Sequence, residues 1–184
     1  MGDNEIFLVD SNSFMTPFRF YYAFDLVPAY WKELNKHINS GRIVVLDIVK
    51  DEIDKGNDDL AKWIADLDQL TVVPKVTEKT VGCYQEVMRY VAECGLYKES
   101  AVHTWAPGNV ADPWLIASAK ANGYTIVTEE KSSTGLSKKT PNKGAKIPDV
   151  AKYFGVKTVD VFDEKTEYKN QVENRMKWQM KRPI

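Results

Sequence analysis

The sequence predicts an α/β protein, a three-layer α/β/α arrangement with a central, mainly parallel sheet. Short apolar runs alternate along the chain with longer segments of helical periodicity, which is the pattern of repeated strand and helix units. The apolar runs are continuous, as expected of strands buried on both faces of a parallel sheet. Right-handed crossovers would join successive strands.

Five segments are predicted to be strands, the shortest of them lying between two helices. They are rich in β-branched residues or end at turn residues. The predicted strands are 6–9, 43–46, 71–73, 124–128 and 156–161.

Helices are predicted where apolar residues recur three or four positions apart. Asp47 is expected to be the N-cap of one helix, and Asp112, followed by proline, the N-cap of another. The predicted helices are 28–40, 48–55, 60–67, 77–94, 114–122 and 148–154. The predicted loops are 14–24, which is rich in aromatic residues, 95–110 and 131–146.

A chain of 184 residues is long enough to bury one hydrophobic core. We expect one domain over 1–163 and a polar tail, weakly helical in pattern, over 164–184. The sequence has no leader-like segment and no apolar run of membrane-spanning length, so a cytoplasmic location and no membrane association are expected. A net charge of −1 gives no overall attraction to nucleic acid, and His37 and His103 are too isolated from the cysteines for a zinc site.

Acidic residues from four separate segments are predicted to meet at one edge of the sheet. Asp10 ends the first strand, and Glu130 follows the fourth. Glu52 lies early in the helix after the second strand, and Asp112 begins a helix that runs antiparallel to the strand after it. These positions all belong to the carboxyl edge of the sheet, where ligands bind in open parallel sheets.

Carboxylates that are crowded together repel one another, and a divalent cation neutralises them. Oxygen ligands favour Mg²⁺ or Mn²⁺, and ions held in this way can promote phosphodiester hydrolysis. Each acid taken alone has a simpler interpretation: Asp112 as a helix cap, Asp10 as a turn residue, and Glu129 and Glu130 as solvated side chains. The prediction therefore depends on their joint placement.

Four motifs resemble those of the PIN-domain ribonucleases: LVDSNSF at 8–14, VKDEI at 49–53, ADPWLIASA at 111–119 and TIVTEE at 125–130. Together with KIPDV at 146–150, they make the chain similar to a branch related to the toxins of bacterial toxin–antitoxin pairs. The resemblance implies a PIN-like fold, an endoribonuclease that depends on Mg²⁺ or Mn²⁺, an RNA substrate and an antitoxin partner.

The resemblance also implies roles for individual residues. The metal-binding, catalytic acids would be Asp10, Glu52 and Asp112, with Glu130 as the fourth. The family commonly has aspartates after the threonine that matches Thr128, so Glu129 and Asp149 stay open as alternates for the fourth acid. The polar residues that support the acids would be Ser11, Asn12 and Thr128.

Two further expectations concern binding. The basic loop after Glu130 could guide an RNA backbone through Lys131, Lys138 and Lys139, although a solvated lysine loop fits the same pattern. Exposed aromatic residues make a homodimer reasonable.

Two other functions compete with the nuclease hypothesis. The glutamates at 129 and 130 raise the alternative of a catalytically inactive PIN-like scaffold that binds RNA or a partner protein. A phosphatase or receiver-type domain with Asp10 as nucleophile fits less well, because no second aspartate lies two residues after Asp10 and the chain has no glycine-rich phosphate loop.

Overall fold

A computed structural model describes residues 5–160 and shows one sheet of five parallel strands. The strands are β1 (Phe7–Val9), β2 (Ile43–Leu46), β3 (Thr71–Val73), β4 (Thr125–Val127) and β5 (Thr158–Val159). Their order across the sheet is β3-β2-β1-β4-β5. The predicted strands and the parallel sheet are confirmed. Residue 161 and the predicted tail at 164–184 lie outside the described residues.

Strand β1 lies in the centre of the sheet. Leu8 pairs in register with Val44 on one side and Ile126 on the other, and all three side chains are buried. The residue that follows β1 is therefore placed at the middle of the carboxyl edge, between the ends of β2 and β4.

Helices cover both faces of the sheet, and in residues 5–160 they begin and end as follows. The helices are α1 (Asn12–Thr16), α2 (Pro28–Asn39), α3 (Asp47–Asp54), α4 (Asp59–Ala65), α5 (Glu78–Glu93), α6 (Glu99–Trp105), α7 (Asp112–Asn122) and α8 (Ile147–Tyr153), with a π-helical segment at Pro17–Tyr21.

The two helical layers differ in how they pack. In one layer, α2 and α4 meet through Trp31 and Trp63, whose ring centroids are 4.9 Å apart. In the other, α7 packs against both α5 and α8. Helix α7 is buried from Pro113 to Ala119, which makes it the central helix of that layer. None of the helices described is long and apolar enough to cross a membrane.

Two predicted loops are wrong. The aromatic segment at 14–24 is largely helical, because α1 and the π-helical segment bury Phe14 and Pro17. The segment at 95–110 contains α6, which buries Ala101 and Trp105. Both helices are too short to show a helical repeat, and tertiary packing of a few side chains outweighs local propensity there. The third predicted loop, 131–146, is confirmed as irregular.

Candidate active site

Asp10 is the buried centre of the acidic site. It follows β1, its side chain is only 3% exposed, and its backbone N–H donates to Val127 O on β4 (3.0 Å). Thr128 Oγ1 donates to Asp10 Oδ2 (3.1 Å), and Ser11 Oγ lies 3.5 Å from Oδ1. Burial, followed by repulsion from Asp112, raises the pKa of Asp10 to about 7; Glu130 and Glu52 repel it further.

Asp112 is the first residue of α7 and does not cap it. The N-cap position is Ala111, and no side chain makes a capping bond there, so the expected N-cap role of Asp112 is wrong. Burial, followed by repulsion from Glu130 and Glu52, raises the pKa of Asp112 to about 6, while a hydrogen bond from the Trp105 side chain lowers it. The carboxylate is thus free of helix capping and is directed into the site.

Glu52 reaches the site from α3. It is half-buried beside the buried Ile53, and its charge raises the pKa values of both Asp10 and Asp112. Its side chain forms no hydrogen bond or ion pair with another residue among 5–160. Within the described residues, its carboxylate therefore lies near the other acids without a paired cation.

Asp47 fixes the start of α3, although not as an N-cap: that position is Leu46. Asp47 Oδ1 accepts hydrogen bonds from the backbone N–H groups of Ile48 (2.7 Å) and Lys75 (3.1 Å). Lys75 Nζ donates to Gly108 O (2.6 Å), in the segment before α7. These contacts connect the helix that carries Glu52 with the segment that leads to Asp112.

Glu130 and Glu129 point to different surroundings. Glu130 repels Asp10 and Asp112, and its backbone N–H donates to Thr128 Oγ1 (3.2 Å). The pKa of Glu129 is raised by burial, lowered by a hydrogen bond from Thr16 and raised by Asp160. Glu130, rather than its neighbour, therefore lies with the other acids.

Asp149, the other alternate, anchors the loop at 131–146. Both of its carboxylate oxygens accept from the backbone N–H of Ser133, at 3.2 and 3.0 Å. Its charge is not among the main causes of the raised pKa values of Asp10 and Asp112. The structure thus places it at the loop rather than among the acids.

Two of the three predicted supporting residues lie beside Asp10. Ser11 and Thr128 contact Asp10, whereas the side chain of Asn12 is exposed and makes no hydrogen bond with another residue in the described range. Two supporting side chains were missed. Trp105 lies in a helix too short to be recognised from its pattern, and Ser13 donates to Val127 O (3.1 Å), tying α1 to β4.

The predicted RNA-binding lysines do not form one patch. Lys131 pairs with Asp160. Lys138 lies over Gly95 and lines a groove of about 590 Å³ beside Tyr90 and Tyr153. Lys139 is exposed. A further lysine, Lys146, forms an ion pair with Glu130.

The chemistry of the site suits a hard divalent cation. Its donors are carboxylate and hydroxyl oxygens, as Mg²⁺ and Mn²⁺ prefer. Burial, and then the charges of neighbouring acids, raises the pKa values of Asp10 and Asp112. Within residues 5–160, no group of three or more histidine, cysteine, aspartate or glutamate side chains has converged to metal-binding distance. Binding an ion would therefore draw the acids closer together.

The parallel sheet with helices on both faces is the three-layer, PIN-like α/β/α fold that the sequence predicted. Among solved structures, a similar one is VapBC2 from Rickettsia felis bound to a DNA fragment from their promoter. It has a TM-score of 0.52 at 14% identity, covering 84% of this chain and 98% of that one. Another is DNA-bound VapBC from Salmonella typhimurium, with a TM-score of 0.49 at 16% identity, covering 85% and 98%. No curated protein matches the chain.

The family is defined by sequence. Residues 7–170 match the family described as a domain of unknown function, DUF4411. The chain belongs to this family, and the matched region includes every acid of the candidate site.

Proposed function

We propose that the chain is an endoribonuclease that depends on Mg²⁺ or Mn²⁺ and hydrolyses phosphodiester bonds of RNA. The observation that carries the proposal is that acids from four segments lie near enough to one another to interact electrostatically: burial, and then repulsion from neighbouring acids, raises the pKa values of Asp10 and Asp112. A structural cluster of acids would be expected to have paired cations. Here the acids are only partly neutralised, and an added cation would stabilise them.

Asp10, Glu52 and Asp112 are the residues that would hold the ion. When bound, the ion supplies a water of lowered pKa and stabilises the charge that develops on the phosphate. Thr128 and Ser11 keep the Asp10 carboxylate in one orientation, and Trp105 does the same for Asp112. Such supporting hydrogen bonds hold ligands in place before the ion arrives.

The test is cleavage of a labelled single-stranded RNA by the purified chain. We expect cleavage with Mn²⁺ or Mg²⁺ and none with a chelator. Asp10→Asn and Asp112→Asn should each lower the cleavage rate at least about 100-fold, a loss of about 3 kcal/mol of transition-state stabilisation. Glu5→Gln, at the opposite edge of the sheet, is the matched control and should cleave like wild type. Activity that survives both substitutions refutes the mechanism.

The second candidate is an inactive scaffold that binds RNA or a partner. It is favoured by the ion pair between Glu130 and Lys146 and by the lack of a ready-made group of three ligands in the described residues. A scaffold should bind RNA equally well with and without Mn²⁺, and should leave the RNA intact.

We further propose a role as the toxin of a toxin–antitoxin pair, with an antitoxin or a second copy of the chain as partner in the cytoplasm. The motif resemblance and the likeness to the VapBC2 fold support it. So does the exposure of Phe20, Tyr21 and Leu26, which are 74%, 60% and 77% exposed, because exposed apolar patches are sites where proteins bind. Expression of the chain should arrest growth, and co-expression of a small DNA-binding protein encoded beside it should restore growth.

A further inference from the structure

Lys146 places a positive charge directly against the acids of the candidate site. Its Nζ donates to Glu130 Oε1 (2.5 Å), while the backbone N–H of Ile147 donates to Glu130 Oε2 (2.8 Å). Both carboxylate oxygens of Glu130 are therefore engaged by donors from one short segment. In this arrangement the Glu130 carboxylate is bound by Lys146 and the backbone of Ile147, and neither of its oxygens is left without a donor.

The charge of Lys146 also reaches beyond Glu130. It lowers the pKa of Asp112, and the pKa of Lys146 is itself raised by its hydrogen bond with Glu130 and by the charges of Asp112 and Asp149. The ammonium group is thus shared among several carboxylates, although its side chain remains 46% exposed.

The backbone around Lys146 is held in place. Ala145 and Ile147 on either side are buried. Ser100 Oγ donates to Lys143 O (2.8 Å), and the backbone of Asn142 bonds to that of Lys98 and of Leu96. A lysine carried by an anchored backbone loses less conformational freedom in keeping its contact than one in a mobile loop. The pairing with Glu130 is consequently a built part of the site.

We propose that Lys146 is a resident cation that occupies the position of a second divalent ion, so that the site takes one ion, held by Asp10, Glu52 and Asp112. Sites with two metals place two cations about 3.5–4 Å apart among a shared set of carboxylates. In this chain one acid of that set, Glu130, is already paired with the ammonium group of Lys146. The inference rests on the proposed function, since it assumes that the acids bind a divalent ion.

The experiment is a calorimetric titration of the full chain with Mn²⁺, which counts bound ions without reference to RNA cleavage. We expect one ion per chain for wild type and two for Lys146→Gln, because removing the ammonium frees Glu130 and adds an unneutralised charge. The control is Lys131→Gln, which should bind one ion. Lys131 lies in the same loop but pairs with Asp160. Circular dichroism confirms that each variant is folded.

A second variant tests the same inference if Lys146→Gln does not fold. Because Glu130 is paired with Lys146 and is not proposed to hold the ion, Glu130→Gln should raise the Kd for Mn²⁺ less than Glu52→Gln does. The two Kd values should differ at least about tenfold, which is about 1.4 kcal/mol.

The outcomes separate the two proposals. Two ions on wild type, or one ion on folded Lys146→Gln, overturn the role of Lys146 and leave the nuclease proposal standing. Equal loss of affinity in Glu130→Gln and Glu52→Gln overturns it as well. No ion on wild type overturns both.

Discussion

Two carboxylates near the opposite ends of strand β1 have pKa values that are shifted in opposite directions. At the amino end, Glu5 accepts hydrogen bonds from Lys157 Nζ (2.7 Å) and Thr125 Oγ1 (2.8 Å), and these bonds lower its pKa. At the carboxyl end, the side-chain donors beside Asp10 are, among the described residues, the hydroxyls of Thr128 and Ser11, and burial raises its pKa to about 7. The carboxylate at the amino end is thus stabilised by a lysine, whereas the charged form of Asp10, where we propose that an ion binds, is disfavoured by burial and then by the neighbouring acids.

The largest expected effect is on the stability of the fold at high pH. The pKa of Asp10 is raised from 3.8 to about 7, so wild type loses stability as the pH rises from about 4 through 7. In chelator, Asp10→Asn should be more stable than wild type at pH 8 by up to about 4 kcal/mol, and the gain should fall by more than half at pH 5. Urea unfolding measures both values. A less stable Asp10→Asn at pH 8 would mean that the carboxylate is compensated after all.

Mn²⁺ should stabilise the wild-type fold by relieving the same repulsion. At a free concentration 100 times the Kd, the gain is about 2.7 kcal/mol, visible as a higher Tm. The shift should disappear in Asp112→Asn and persist in Glu5→Gln. An equal shift in all three proteins would place the ion elsewhere.

Thr128 tests how far the acids depend on their hydroxyl support. Its side chain donates to Asp10 and accepts from the backbone of Glu130, so Thr128→Val removes both bonds at nearly constant volume. Loss of such support costs about 10- to 100-fold in metal affinity, measured by Mn²⁺ titration. Thr128→Ser keeps the hydroxyl and should bind within about threefold of wild type. If valine and serine behave alike, the hydroxyl does not orient the site.

The smallest effect is expected at the amino end of β1. Glu5→Gln should lower the stability at pH 8 by less than about 1 kcal/mol, because its ion pair with Lys157 is partly exposed. Because the pKa of Glu5 is lowered from 4.5, this contribution is present above that pH and is lost as the pH falls below it. The sign is opposite to that at Asp10, and urea unfolding of the two variants side by side checks it.

The sheet and the edge that carries the acids could be predicted from the sequence. Continuous apolar runs such as 43–46 mark strands buried on both faces, and parallel topology then brings the residues after them, including Asp10, to one edge. The periodicity of longer helices was likewise sufficient to predict them. For α5 the predicted range, 77–94, agrees closely with the helix observed, whose N-cap is Thr77.

The finer arrangement of the site could not be predicted. Adjacent residues such as Glu129 and Glu130 face different surroundings because of the local backbone, which spacing does not reveal. Trp105 lies in a seven-residue helix stabilised by burial, and Lys146 reaches Glu130 across an irregular loop. These contacts depend on tertiary packing rather than on local pattern.

The central claim is that the acids at the carboxyl edge form one ion site. It is tested most directly by adding substoichiometric Mn²⁺ to isotope-labelled protein and following the side-chain carboxyl carbons by nuclear magnetic resonance. The paramagnetic ion should broaden the signals of Asp10, Glu52 and Asp112 first and leave the signal of Glu5 unchanged. Broadening spread evenly over exposed carboxylates, with Asp10 unaffected, would contradict the claim.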